Sequence, residues 1–184
     1  KFIYSITPYY STGTNRLTGS AGVSYNIQPK DSFFRSWVIA TNMSYFHYDY
    51  NLAYKRINLS TSINFNKDPR SAIGRNFYAS YGYFEKDLDP ISVTDDYQKY
   101  NLWNIGYTYS DNALIHEKSV NANLQGMEDF LKLSTEAYYR WEYAQNKKIS
   151  FRWFAGYFVN NKTKNSTFDY GLSTVSNYAF SYGL

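Results

Sequence analysis

The chain of 184 residues contains 22 Tyr, 13 Phe and 4 Trp, yet its mean hydropathy is −0.57. No stretch supplies the roughly 20 consecutive apolar residues that a transmembrane helix needs, and the abundance of aromatic residues excludes a disordered chain. The net charge of +4 comes from 19 Lys and Arg against 15 Asp and Glu that are scattered rather than clustered, which argues against a nucleic-acid-binding protein.

Alternating apolar and polar residues, with turn-rich segments between the copies, predict about ten β-strands. In chain order these lie near residues 2–10, 17–27, 34–46, 52–65, 75–84, 97–109, 115–125, 130–143, 149–159 and 170–182. The segments between them are polar, several carry Gly or Pro, and none has the character of a linker between domains. The sequence therefore predicts one all-β domain over residues 1–184, built from antiparallel up-and-down strands without a helix.

The segment LKLSTEAYYRWEY, residues 131–143, carries the alternation over its full length. Every second residue from Leu131 to Tyr143 is apolar or aromatic except Thr135, and the residues between them carry the charges. The pattern lasts about twice as long as an ordinary strand of roughly five or six residues. The same two faces recur in INLSTSINF, NLWNIGYTYS, SVNANLQ and ISFRWFAGYFV, where Phe154 and Phe158 are exceptions on the polar side.

Long strands with one apolar and one polar face are typical of a transmembrane β-barrel, whose outer side chains meet lipid. Such strands join a closed sheet because unpaired backbone groups are costly in hydrocarbon. The alternative is a water-soluble β-sandwich, in which the apolar face packs on a second sheet. We favour the barrel. The predicted lipid-facing residues are Ile63, Ile105, Leu133, Tyr139 and Trp153, and the predicted aromatic residues at the membrane interface are Tyr109, Tyr139, Trp141 and Tyr143.

Charged residues on the opposite face of two neighbouring strands predict a polar network in the interior. Its members are Glu136, Arg140, Glu142 and Arg152. Opposite charges on adjacent strands can pair across a sheet. In a narrow barrel such pairs fix the register of the strands, whereas in a wide barrel they line a pore. We prefer the structural role, because carboxylates with nearby arginines are poorly placed to act as general acids.

No catalytic motif is present in the sequence. The two histidines, His47 and His116, would need ligands from distant strands to form a metal centre. His47 shares a predicted face with Asp49, whereas His116 and Glu117 point to opposite faces of one strand. Neither HExxH, GxSxG, GxGxxG nor a Walker loop occurs, and the chain has no cysteine. We therefore expect no catalytic, cofactor-binding or metal-binding residue in this segment.

The segments YYSTGTNRLTGSAGVSYNIQPKD, SYFHYDYNLAYKRIN and FNKDPRSAIGRNFYASYGYFEKDLD resemble outer-membrane β-barrel proteins of Bacteroidota. Within that group the chain resembles the barrel portion of large proteins that also carry an aminopeptidase-like, gluzincin-type metallopeptidase domain. The resemblance implies the outer membrane of a Gram-negative bacterium, with membrane lipid, lipopolysaccharide and other outer-membrane proteins as partners. It transfers no catalytic residue, because the zinc-binding helix motif of such peptidases is missing from these residues, so any peptidase activity would lie outside the segment.

Three functions remain open. The chain opens with KFIYSITPYY and closes with STVSNYAFSYGL, both strand-like, so we expect a mature or partial piece of a longer protein. A membrane anchor or accessory subunit of a larger protein or complex is favoured, because about ten strands form only a narrow barrel. A pore or transporter for small solutes is the first alternative, and a barrel enzyme acting on lipid or peptide is the second.

Overall fold

The fold comes from a computed structural model, which describes residues 1–12, 15–30, 32–49, 52–66, 68, 70–88 and 99–163. In these residues the chain forms nine β-strands and no helix. The strands are β1 (Phe2–Ser11), β2 (Arg16–Ile27), β3 (Ser36–Asp49), β4 (Leu52–Asn64), β5 (Ile73–Leu88), β6 (Lys99–Asn112), β7 (His116–Met127), β8 (Phe130–Ala144) and β9 (Lys147–Asn161). A helix long and apolar enough to span a membrane is not found in this part of the chain.

All nine described strands belong to one sheet in which each strand pairs antiparallel with the next along the chain. The predicted all-β, antiparallel up-and-down fold is thereby confirmed. The first nine predicted strands each overlap one observed strand, and the tenth, near residues 170–182, lies outside the described residues. In the order of the described strands β1 and β9 are the two edges, so closure of the sheet into a barrel stays a prediction.

The strands are long because the backbone pairing between neighbouring strands continues almost to the turns. β5 extends from Ile73 to Leu88, beyond the predicted 75–84, because its pairing with β4 runs on to Leu52 and Leu88. Asn15 and Asn146, each within a turn, have φ angles of 53° and 61°. Asparagine tolerates this left-handed conformation better than most residues. We call the end of the sheet with the turn at residues 128–129 the upper end, and the end with the turn at residues 145–146 the lower end.

One face of this single layer encloses a hydrophobic core, which shows that the sheet is curled around that face. Phe84 and Leu102 have no exposed surface, and Phe130, on the more distant strand β8, is only 1 % exposed. Lower in the sheet, the Tyr78 hydroxyl donates a hydrogen bond to Asn121 Oδ1 at 3.3 Å, passing from β5 to β7 across β6. Residue 106 on β6 must be glycine for this contact, because a Cβ there would overlap the Tyr78 ring.

Candidate functional site

The two faces of the curled sheet carry different kinds of side chain. Cross-strand pairing places Ile105, Leu124 and Leu133 in one row on three neighbouring strands. Asn104, the neighbour of Ile105 on β6, pairs with Gln125 on the opposite face. We call the face with Ile105 the outer face and the face with Asn104 the inner face.

The outer face is apolar, and the exposed fraction of its large exposed side chains ranges from 36 % at Ile39 to 74 % at Ile6. Its large exposed side chains include Tyr4, Ile6, Val23, Tyr25, Ile39, Met43, Ile57, Leu59, Tyr81, Ile105, Tyr107, Val120, Leu133, Phe151, Trp153, Tyr157 and Val159. Scattered exposed apolar residues are normal on a water-soluble protein, whereas a contiguous surface of them marks contact with protein or with a membrane.

Charged residues flank this apolar surface without entering it. On β5 the outer face is uncharged between Arg75 and Glu85, and on β9 it is uncharged from Ile149 to Val159. These lengths match the about 9 to 11 residues that a tilted strand needs to cross the hydrocarbon of a bilayer. On β5 and β9 the uncharged outer surface is therefore as long as a strand that crosses a membrane core.

The five predicted lipid-facing residues lie on the outer face. Ile105, Leu133, Tyr139 and Trp153 are exposed, and Ile63 on β4 is half-buried between its neighbours on β3 and β5. All five fall within the uncharged band or at its lower border. Alternation alone predicts the face of a residue and not its distance from the strand ends, so of the five only the aromatic Tyr139 was also predicted to lie at the membrane interface.

The predicted interface aromatic residues lie toward the lower end. Trp141 and Tyr143 are exposed near the end of β8, with ring centroids 6.0 Å apart, and Tyr109 lies near the end of β6. His116 joins them, since its Nδ1 is 2.8 Å from the Tyr139 hydroxyl and the two rings stack with centroids 6.2 Å apart. The histidine thus belongs to an aromatic row and has a neighbouring tyrosine as its partner.

On the inner face, ion pairs lie from the middle of β8 toward the lower end. Arg152 Nε donates to Glu136 Oε1 at 2.5 Å across β8 and β9. Arg140 pairs instead with Glu117 on β7, its direct cross-strand neighbour. Glu136 and Arg140 therefore lie on the same face of β8, but Glu136 pairs with a residue on β9 and Arg140 pairs with a residue on β7.

The fourth predicted residue, Glu142, forms a separate pair with Lys148 across the β8–β9 hairpin, with Nζ and Oε2 3.5 Å apart. Glu117 and Lys148 were missed as partners in the sequence. The two-residue turn at 128–129 could have revealed Glu117, because it pairs Met127 with Phe130 and so brings Glu117 opposite Arg140. The four residues form three ion pairs and not one network.

The middle of the inner face is a layer of amides and hydroxyls. Asn104, Asn123 and Gln125 are buried, and their side-chain oxygens have no hydrogen-bond partner among the described residues, nor has Asn58 Oδ1. A cavity of about 360 Å³ opens beside Asn58 and Asn104. Its lining includes Arg56, Asn58, Ser60, Ser62, Tyr78, Ser80 and Asn104. Buried polar groups beside a roomy cavity are ordinarily hydrated, so the amides of Asn58 and Asn104 suit contact with water or a small hydrophilic solute.

The upper end of the inner face is apolar. Tyr54, Phe84, Leu102 and Phe130 form a buried cluster, against which Tyr100, Met127 and Phe158 pack. Phe84 stacks on Tyr100 with ring centroids 5.0 Å apart. Two cations border the cluster, because Arg56 lies 5.6 Å from the centre of the Phe84 ring and Lys132 lies 5.9 Å from that of Phe130. Phe158, an exception to the alternation in the sequence, is a member of this layer.

A metal-binding cluster is not assembled in the described part of the chain. No group of three or more His, Asp or Glu side chains with the geometry to hold a metal ion is found there. The side chain of His47 lies outside what the structure describes. The candidate functional surfaces are therefore the outer face and the layered inner face.

Comparison with known proteins gave no matching family model, no matching curated protein and no matching solved structure. The resemblance to barrels of Bacteroidota consequently stays a prediction from the sequence.

Proposed function

We propose that this chain forms the wall of a β-barrel in a bacterial outer membrane and acts as the membrane anchor or accessory subunit of a larger protein or complex. The observation that carries the proposal is the inverted distribution of side chains. Ile105 is 41 % exposed on the outer face while its neighbour Asn104 is 8 % exposed on the inner face. Lipid around the outer face removes the apolar side chains from water, and enclosure of the inner face keeps amides and ions away from hydrocarbon.

A water-soluble sandwich explains these features less well. A sandwich buries its apolar face against a second sheet about 10 Å away. All strands in the described residues belong to a single sheet, and its apolar face is the exposed one. The inner face, which would have to meet water in a sandwich, holds the most deeply buried residues.

An anchor is favoured over a pore because side chains fill the inner face at both ends. The cluster around Phe84 forms an apolar layer at the upper end, and apolar constrictions stop ions by excluding water. The ion pair of Arg140 with Glu117 lies toward the lower end, and that of Glu136 with Arg152 lies between it and the middle of the inner face. The cavity of about 360 Å³ beside Asn104 supports a pore for small solutes as the second candidate.

The partners proposed are lipid, lipopolysaccharide and other outer-membrane proteins. Any peptidase activity of the larger protein is proposed to reside outside these residues, as the resemblance implies.

Single-cysteine labelling tests the membrane part of this proposal, because the chain has no cysteine of its own. The full chain is refolded in detergent, transferred to bilayers and treated with a lipid-soluble maleimide. We expect labelling of Ile105→Cys and protection of the matched variant Asn123→Cys, which lies on the inner face. Preferential labelling at position 123 would refute the assignment of the faces.

Two further measurements separate the functional alternatives. Heat-modifiable migration of a compact, protease-resistant monomer would mean that the chain closes a barrel by itself. Failure to form such a monomer would mean that strands from elsewhere complete the wall. In planar bilayers we expect no stable conductance steps from the refolded chain, whereas reproducible steps would favour the pore.

A further inference from the structure

The cavity on the inner face lies over the middle of β4, β5 and β6 and has a volume of about 360 Å³. Its lining includes Asn58 and Ser60 on β4, Ser80 on β5 and Asn104 on β6. Ser60 pairs with Ser80, and Ser80 pairs with Asn104, so these three residues form one row across the sheet. At ~30 Å³ for each molecule the cavity holds about 12 water molecules, which is room for one small organic ring.

Two amide oxygens at this cavity lack a partner. Asn104 is only 8 % exposed, and neither its Oδ1 nor that of Asn58 accepts a hydrogen bond from the described residues. Buried polar groups in folded proteins are nearly always paired, so a bare acceptor beside a cavity indicates a missing donor. A ligand that satisfies these oxygens must therefore carry O–H or N–H groups.

Apolar groups form another part of the cavity wall. Val38 on β3 and the ring of Tyr78 on β5 both line the cavity. The ring is held in place, because its hydroxyl donates to Asn121 Oδ1 and its hydroxyl end lies over Gly106. Water can donate to the amides but gains nothing from contact with the valine and the ring. A ligand with both hydroxyl groups and an apolar C–H surface matches both parts of the wall.

The chemistry of the lining favours a neutral ligand. Bare amide oxygens repel an anion, so they do not suit a phosphate or a carboxylate. None of the described lining residues is Asp or Glu, the side chains that neutralise a buried ammonium group or coordinate a hard metal ion. A donor that carries no charge, such as the hydroxyl group of a sugar, meets both conditions.

We propose that this cavity binds one neutral sugar ring, whose hydroxyl groups donate to Asn58 Oδ1 and Asn104 Oδ1 and whose C–H face packs on Val38 and Tyr78. A sugar ring combines the two kinds of surface in one rigid molecule, and rigidity lowers the entropy cost of binding. The inference rests on the proposed function, because closure of the wall turns the cavity into a site inside a barrel. It adds a ligand to that function and applies to an anchor as well as to a pore.

Saturation-transfer NMR with glucose tests the proposal on protein purified from cells in a polyoxyethylene detergent, which has no sugar headgroup. Asn104→Leu removes a bare oxygen at nearly constant volume. Asn123→Leu is the matched change on β7, because Asn123 is buried with an unpartnered Oδ1 but is not among the described lining residues. We expect equal affinity for glucose in the unsubstituted protein and Asn123→Leu, and about fivefold weaker binding by Asn104→Leu, the effect of one hydrogen bond.

Two charged sugars with the same ring test the class of ligand. Glucosamine carries an ammonium group and glucuronate carries a carboxylate, and we expect each to bind about fivefold more weakly than glucose because its charge is left unpaired in the cavity. Tighter binding of glucuronate would assign the cavity to an anion held by Arg56, which also lines it. Tighter binding of glucosamine would assign it to a cation. Either result would overturn the inference.

Two further outcomes would also overturn it. The absence of glucose binding, or equal binding by Asn104→Leu and Asn123→Leu, would mean that the cavity holds water only. If Asn104→Leu does not fold, Asn58→Leu removes the other bare oxygen and should give the same loss. The membrane fraction tests the proposed function separately. Protein found in the outer membrane without sugar binding contradicts this inference alone, whereas protein absent from that membrane contradicts the proposed function.

Discussion

The outer and inner faces are formed by the same strands but carry opposite kinds of side chain. On β6, Ile105 is exposed and Asn104 is buried, and the reverse would hold in a water-soluble sheet with one wet face. On β8, Leu133 is exposed and its neighbour Lys132 is 2 % exposed. The difference teaches that the described strands bury polar side chains on one face and expose apolar side chains on the other, which is the distribution that the proposed membrane wall requires.

The inner face itself changes along its length, from an apolar layer at the upper end to ion pairs at the lower end. Phe84 and Phe130 are removed from solvent, whereas the side chains of Arg152 and Glu136 are 44 % and 31 % exposed. Burial of large aromatic rings contributes several kcal/mol, and exposed ion pairs contribute little. We therefore expect the upper end to dominate stability, and each prediction below contrasts one of these regions with another.

The largest effect is expected from Phe84→Ala in the apolar layer. Loss of a fully buried ring that stacks on Tyr100 should lower the free energy of unfolding by about 3 to 5 kcal/mol. Denaturant titration of the refolded chain, followed by the fluorescence of its tryptophans, measures this. Phe154→Ala is the matched control on the inner face of the edge strand β9, where the ring is 37 % exposed. Equal losses at both positions would mean that the upper end is not the stable region.

The next effect is expected from a charge in the middle of the outer face. Ile105→Arg should destabilise the membrane-inserted protein by about 2 to 4 kcal/mol, as arginine does near the midplane on the lipid side of barrels. Ala155→Arg on β9 should act in the same way. Asn123→Arg is a poor comparison because it would overfill a buried site, so Asn123→Ala serves as the inner-face control, with an expected smaller loss. If Ile105→Arg did not lower the free energy of unfolding in bilayers, the contrast between the two faces would be refuted.

The faces and nine strands could be predicted from the sequence because alternation is a local property of a strand. The sequence could not supply pairings that depend on register between strands. Arg140 and Glu136 lie four residues apart on β8, yet each pairs to a different strand. The apolar layer was also missed, because its members come one or two from each strand and only Phe158 stood out as an exception to the pattern.

A smaller effect is expected where the inner face packs over glycine. Gly106→Ala should displace the Tyr78 ring and break its hydrogen bond to Asn121, at a cost of about 0.5 to 1.5 kcal/mol. Tyr78→Phe removes the same hydrogen bond without changing the glycine. If Gly106→Ala and Tyr78→Phe had similar free energies of unfolding, the Tyr78 ring would be able to move aside and make room for the added methyl group. A much greater loss for Gly106→Ala would instead mean that the strand backbone shifts, and the ring would then be a rigid part of the wall.

The smallest effect is expected from the ion pair of Glu136 with Arg152, which lies from the middle toward the lower end of the inner face. A double-mutant cycle with Glu136→Gln and Arg152→Gln should give a coupling energy of about 0.2 to 1 kcal/mol, because both side chains are partly exposed and water screens their charges. The coupling should fall further as salt is raised. If the full chain closes into a narrow barrel that excludes water from this end, the same pair becomes buried, and removal of one partner alone should then cost several kcal/mol. The free energies of unfolding of the single variants therefore also report on closure of the barrel. If this part of the interior is open and hydrated, each single variant should lose little stability. If each single variant loses several kcal/mol and the double variant regains stability, the pair lies inside a closed wall.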